Sequence, residues 1–328
     1  MNPNDVIPEV PYKDRRNGLM IVGILQIVMG AGAWLLALLT GVTVQMAARQ
    51  GMSAASMLPG LLFYTGAGAV FIGLGVGTVR GRRWARAIWL VVSTGWLVFG
   101  VIGLGGMVYW IPRVFDALGT MGPNQPPPGV FTIMLVVMLG FGTVFLLVVP
   151  LVFVLFFRSP HVKATCEAIN PAPSWSDSRP LPVLAAALWV SFLGLSMLAM
   201  PFMYGGLYPV FGAFVRGGVG WALWGGTITA CAVCALGLFR GRVWACDGAL
   251  VLVLAFSASS ILTYWKADMK ELYVSMGMLD AQIQLIEKMG LMSSGYMAST
   301  SVCFLCPYIL LLAWARYKIS RGDNRMVG

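Results

Sequence analysis

Charge is what this chain has least of. Only 10% of its 328 residues are Asp, Glu, Lys or Arg, against roughly 25% in ordinary soluble domains. There is one histidine, His161, in a segment beside Pro160 and Lys163. A single histidine excludes bis-histidine haem ligation within the chain and gives no basis for a histidine-built zinc or di-iron cluster. No phosphate-binding loop, nucleophile elbow or zinc-protease motif occurs, so nucleotide-driven work would need another subunit. Asn-x-Ser/Thr sequons are also absent, in keeping with a prokaryotic inner membrane. The scarce charges are almost absent from the apolar runs. Asp247 comes nearest, three residues after Trp244, where it reads as an interfacial carboxylate near Arg240 and Arg242. Ion and proton pathways need acids or bases inside the membrane. Their lack argues against a proton-coupled pump and leaves a carrier of lipids or uncharged solutes open.

What the chain has instead is apolar length. Residues of apolar type make up 59% of it, in runs near the 20 residues that cross a bilayer as a helix. Eight such runs are read: 18–43, 60–79, 85–110, 130–157, 181–203, 219–239, 244–264 and 296–315. Several exceed the minimum, which tilt or extension beyond the lipid absorbs. The first is longer than a signal-peptide core and is read as a span, not a cleavable leader.

The net charge of +10 is a topology signal, not a nucleic-acid signal. Counting by alternate loops places sixteen of the 22 Lys and Arg residues on one side of the eight spans and six on the other. The positive-inside rule then puts both termini in the cytoplasm of a multi-pass inner-membrane protein.

The chain also says one thing twice. Gly77-Thr78-Val79-Arg80-Gly81-Arg82-Arg83-Trp84-Ala85 returns 160 residues later as Gly237-Leu238-Phe239-Arg240-Gly241-Arg242-Val243-Trp244-Ala245. Two weaker landmarks recur at similar offsets. Tyr12-Lys13-Asp14-Arg15-Arg16 is matched by Trp175-Ser176-Asp177-Ser178-Arg179, and Pro150 late in span four by Pro307 late in span eight. A duplication is expected: residues 1–165 as a first four-helix repeat, 166–180 as a cytoplasmic linker rich in proline and small polar residues, and 181–328 as a second repeat. Four spans per half make the repeats parallel, unlike the inverted repeats of many transporters. The expected fold class is therefore all-α and polytopic, eight transmembrane helices in two parallel four-helix repeats.

The repeated turn has simple local physics. Gly81 and Gly241 suit the left-handed conformation that ends one helix before the next. Arg80, Arg82, Arg240 and Arg242 suit lipid phosphates, and Trp84 and Trp244 the interfacial aromatic belt. These six residues are read as lipid-headgroup or interface anchors.

Other candidates are weaker. Six cysteines include two Cys-x-x-Cys pairs, Cys231/Cys234 and Cys303/Cys306. Both pairs fall inside spans, at depths that differ by roughly 8 Å at 1.5 Å per residue, which weakens a four-thiolate site. Buried cysteine normally serves as a small hydrophobe, and neither a metal nor a cofactor is expected. Glycine is abundant, 40 residues, and puts small faces on spans two and three that suit close helix packing.

Between spans seven and eight an apolar stripe runs through Trp265, Met269, Leu272, Met276, Leu279, Ile283 and Ile286, at spacings of four and three. It is read as an outer amphipathic helix that lies on the membrane, packs over the bundle or docks a partner. The first half has a short loop ending in Pro126-Pro127-Pro128 there, so the halves differ most on the outer side.

Chemistry-bearing residues are few, whereas packing faces, lipid anchors and an outer stripe are present. The chain is accordingly expected to be no enzyme but a structural or accessory subunit of a larger membrane complex, with membrane lipids and other membrane proteins as partners and no nucleic acid. The alternative is a carrier or binding protein for a lipid or other apolar molecule, which predicts a cavity between the halves near Tyr64, Trp96, Trp189 or Tyr204.

Overall fold

The computed structural model describes residues 12–49, 58–119, 128–267, 269–275, 278, 280–290 and 293–326. Among the described residues the regular structure is helical apart from one small hairpin. Eight stretches are long and apolar enough to cross a membrane: Arg16–Met46, Leu58–Val79, Arg83–Val114, Thr132–Arg158, Leu181–Met203, Gly217–Phe239, Val243–Lys266 and Ser294–Arg321. They match the eight apolar runs of the sequence to within a few residues at most ends. A multi-pass membrane protein follows.

Helices α1 (Arg16–Arg49) and α2 (Leu58–Val79) form an antiparallel pair held backbone to backbone. A Cβ on Gly23 would lie 2.9 Å from the Gly75 carbonyl oxygen, and one on Gly75 would lie 2.9 Å from that of Gly23. Gly30 faces the Gly68 carbonyl in the same way, one heptad along. Lipid offers no hydrophobic drive between helices, so close approach through small residues is what joins them. Trp34 then closes over Gly68 and donates its indole N–H to the Thr65 carbonyl at 3.1 Å.

Helix α3 (Arg83–Gly119) carries Pro112 near its far end. Span four is α4 (Pro128–Thr143), a π-helical turn (Val144–Val148) and α5 (Val149–Arg158). Pro150 explains the widened turn. It has no N–H to give the Leu146 carbonyl and would clash with it in a regular helix. That carbonyl instead lies against the bare Cα of Gly100 on α3, where no Cβ has room.

After α6 (Pro160–Ile169) and the linker come α7 (Leu181–Met197), α8 (Met200–Met203), a hairpin of β1 (Tyr208–Val210) and β2 (Ala213–Val215), α9 (Gly217–Phe239) and α10 (Val243–Lys266). The strands pair antiparallel, Tyr208 opposite Val215. Phe211 and Gly212 at its tip both have positive φ, and Ser259 and Thr263 of α10 accept the Phe211 and Gly212 amides at 3.0 and 3.1 Å. The last described helix is α13 (Ser294–Met326).

The outer stripe does not form one helix. It is divided into α11 (Met269–Ser275) and α12 (Asp280–Lys288), and Trp265 belongs to α10. The two short helices rest on different parts of the bundle: Met269 and Leu272 pack with Leu207 and Tyr204, whereas α12 lies beside α3. A single straight helix cannot follow both.

Two main cores result. The one around spans one to four is aromatic, with Trp89 stacked on Phe157 at 6.2 Å and met edge-on by Phe71 and Phe153. The one around spans five to eight is built from small residues, including Ala187, Ala235, Ala245, Ala249 and Ala315, with Cys231 and Cys234. The two groups meet where α3 touches α7 and α13. There Trp189 lies against Gly95, and Phe99 packs on Trp189, Phe304 and Tyr308.

Candidate functional site

The two Arg-Gly-Arg turns have the same geometry. In the first, Arg82 N–H donates to the Gly77 carbonyl at 2.9 Å and Gly81 has φ +60°. In the second, Arg242 N–H donates to the Gly237 carbonyl at 3.0 Å and Gly241 has φ +70°. Only glycine takes such an angle without steric cost. The first glycine of each motif has a separate task. A Cβ on Gly77 would lie 2.8 Å from that of Ala85 and 3.1 Å from the Trp84 ring; for Gly237 the distances to Ala245 and Trp244 are 2.6 and 2.9 Å. The motif Gly-x-x-Arg-Gly-Arg-x-Trp-Ala therefore reads as a tight helix–turn–helix in which the next helix seats its Ala and Trp on a bare patch of the previous one.

Arg80, Arg82, Arg240 and Arg242 are exposed, and their side chains make no ion pair among the described residues. Trp244 is exposed and Trp84 half-buried. Arg83, which has no basic counterpart at Val243, is committed to the linker. Its guanidinium donates to the carbonyls of Asn170 at 2.7 Å and Pro171 at 3.0 Å, and sits 3.4 Å from the Asp177 carboxylate. Asn170 answers by donating its side-chain amide to the Arg80 and Gly81 carbonyls at 3.2 and 2.9 Å. Arg179, nine residues on, lies over Gly241. The linker thus touches both turns.

Helix α6 closes the same face. Thr165 accepts the Arg15 amide at 3.0 Å, and His161 Nδ1 accepts that of Lys13 at 3.3 Å, fixing the entry to α1. Cys166 is on the buried side of α6, 1% exposed. Burial pushes its thiol up to about 11, with Arg86 pulling partly the other way. Asp247 pairs with Arg316 of α13 at 2.6 Å rather than with Arg240 or Arg242.

On the opposite face, under α8, the hairpin and α11, spans five to seven enclose a cavity of about 210 Å³. Its walls include Met197, Tyr204, Trp224, Phe256, Tyr264 and Leu272, and no charged side chain lines it among the described residues. Trp224 donates its indole N–H to the Leu207 carbonyl at 2.9 Å and stacks with Tyr204 at 6.4 Å. The hydroxyls of Tyr204 and Tyr264 make no hydrogen bond among the described residues. Burial raises the Tyr204 phenol, and neighbouring Tyr273 adds to the effect. Of the four aromatics expected in a cavity between the halves, Tyr204 lines this one. Trp189 is packed at the α3–α7 junction, Trp96 on Phe71 and Phe145, and Tyr64 on Phe63.

Of the outer stripe, Met269, Leu272 and Ile283 are buried, Ile286 half-buried and Trp265 65% exposed. Met276 and Leu279 lie outside the described residues. The cysteine pairs separate: Cys231 and Cys234 are buried, Cys231 packing on Gly194 and Cys234 on Gly248, while Cys303 and Cys306 are exposed. No cluster of three or more His, Cys, Asp or Glu side chains occurs among the described residues.

Sequence reasoning passed over one residue that stands out in the fold. Gln26 in α1 is fully buried with both side-chain polar atoms unpartnered, as is the Trp89 indole nitrogen. An amide inside an apolar run was the available signal. No protein-family model, curated protein or solved structure matches the chain.

Proposed function

We propose that this chain is a non-catalytic structural or accessory subunit of a larger membrane protein complex. It sits in the cell (inner) membrane with both termini cytoplasmic, as two parallel four-helix repeats joined by the linker. The observation that carries the reading is the uneven burial of the spans. Spans five to seven are 39–44% buried within the chain, spans one to three only 22–28%, and spans four and eight 11%. Where the α1–α2 pair opens beyond Trp34, a groove of about 450 Å³ runs past Ala37, Gly41 and Leu61, with Gln45 and Thr65 at its edge. An open, mainly apolar groove with Ala37 and Gly41 in its wall suits a neighbouring transmembrane helix. The matching turns support the repeat, and the four arginines beside Trp84 and Trp244, exposed and without an ion pair among the described residues, support headgroup anchoring.

Extraction from native membranes in mild detergent, with mass spectrometry of everything that travels with the chain, tests this. A stoichiometric set of other membrane proteins is expected. A solitary chain would overturn the subunit reading. The second reading, a binding protein or carrier for an apolar molecule, is favoured by the cavity under α11, which lies within the second half rather than between the halves.

A further inference from the structure

We infer that the cavity under α8, the hairpin and α11 is a binding site for a small uncharged ring compound that carries a hydrogen-bond acceptor. The inference rests on the second reading above and names the ligand class.

Size comes first. An engineered cavity of roughly 150 Å³ accepts benzene, and drug-sized ligands need roughly 300 Å³ or more. At about 210 Å³ this space holds one or two rings and no more. Charge comes second. Among the described residues the walls carry no ionised group, so an ion there would lose its hydration with none of them as a partner in return. Shape comes third. Trp224, Phe256 and Tyr204 offer ring faces and edges, and Met197 and Met200 offer adaptable thioether contacts, the surroundings that favour an aromatic or alicyclic body.

The polar requirement comes from the tyrosines. Trp224 has spent its N–H on Leu207, and Tyr208 shares a 2.8 Å hydrogen bond with Thr227. Tyr204 and Tyr264 line the cavity and make no hydrogen bond among the described residues. Both are half-buried, and each phenol can donate to an oxygen on a bound ring. Leu272 of α11 contributes to the wall, so the amphipathic segment has one of its apolar residues on the ligand.

The test is equilibrium binding of radiolabelled 1-naphthol and naphthalene to the full chain in phosphatidylcholine nanodiscs, with empty nanodiscs subtracted. One net hydrogen bond predicts that 1-naphthol binds about fivefold tighter than naphthalene. Tyr204→Phe with Tyr264→Phe should erase the preference and leave naphthalene binding intact. Leu272→Trp, which fills the space, should abolish both. Equal binding of the two probes, or a preference that survives the double Phe variant, overturns the ligand class while leaving an apolar site. Failure of both probes to bind overturns the site itself. None of these outcomes bears on whether the chain also has protein partners.

Discussion

Gly95→Ala is the sharpest probe of how the two groups of spans are joined. A methyl at Gly95 would lie within 2.8 Å of three atoms of the Trp189 indole, against the 3.5–4.0 Å that carbon atoms prefer. The ring cannot swing freely, because Phe99 at 5.1 Å and Tyr308 at 5.9 Å flank it. Overpacking of this kind costs about 1–3 kcal/mol. Replacing a helical glycine by alanine returns up to about 1 kcal/mol, so the net loss should be about 1–2 kcal/mol. Trp189→Phe removes part of the obstructing ring and leaves a gap. Combined with Gly95→Ala, the methyl fills some of that gap, and the double variant should be at least about 1 kcal/mol more stable than the sum of the singles. Reversible unfolding in mixed micelles, followed by tryptophan fluorescence with each variant's own baseline, measures all four corners of the cycle. A stable Gly95→Ala with strictly additive behaviour would refute the claim that this contact governs the junction.

Other outcomes follow from the same structure. In α2, Gly75→Val should destabilise by about 1–3 kcal/mol through its clash with the Gly23 carbonyl, whereas Gly73→Ala, which meets nothing within 4 Å, should be neutral or stabilising; thermal unfolding compares them. Gln26→Leu should raise stability by about 1 kcal/mol or more by removing an unpartnered buried amide, and a loss would mean that a water or ligand serves it. Arg83→Ala should expose the linker to limited proteolysis, and Arg83→Lys should rescue little, because an ammonium cannot span the carbonyls the guanidinium fork reaches. Cys166, pushed up to about 11, should stay protonated and label slowly with maleimide at pH 7–9 in the folded chain. Its thiol ionises more easily unfolded. Its stabilising share is therefore whole below the ordinary cysteine pKa of 9.0 and is lost as pH rises towards 11.

The spans were legible because lipid imposes a crude rule that composition alone satisfies. Residues such as Ile21, Phe141 and Leu310, 68–71% exposed, are apolar for the bilayer rather than for a core. The turns were legible because Gly81 and Gly241 need a conformation few residues tolerate. Periodicity misled in the outer stripe. Met269 and Ile283 lie on one helical stripe in the sequence, yet they are buried in different places, and spacing carries no record of which neighbour each residue meets. The cavity was invisible for a related reason: Tyr204, Trp224 and Tyr264 come from three separate elements, and only folding brings them together. The bare patches at Gly77 and Gly237 were hidden because a glycine that makes room looks, in a sequence, like a glycine that merely bends.

The linker sets a distance. Asn170 is fastened to one Arg-Gly-Arg turn and Arg179 lies over the other, so the nine residue steps between them act as a ruler. Fully extended they would reach about 30 Å, and the chain between must take up whatever slack remains. Its length is then under tighter constraint than its chemistry. Most side chains between 171 and 178 are free to vary, but adding or removing a residue would shift one clasp off its turn and change how the two groups of spans are spaced.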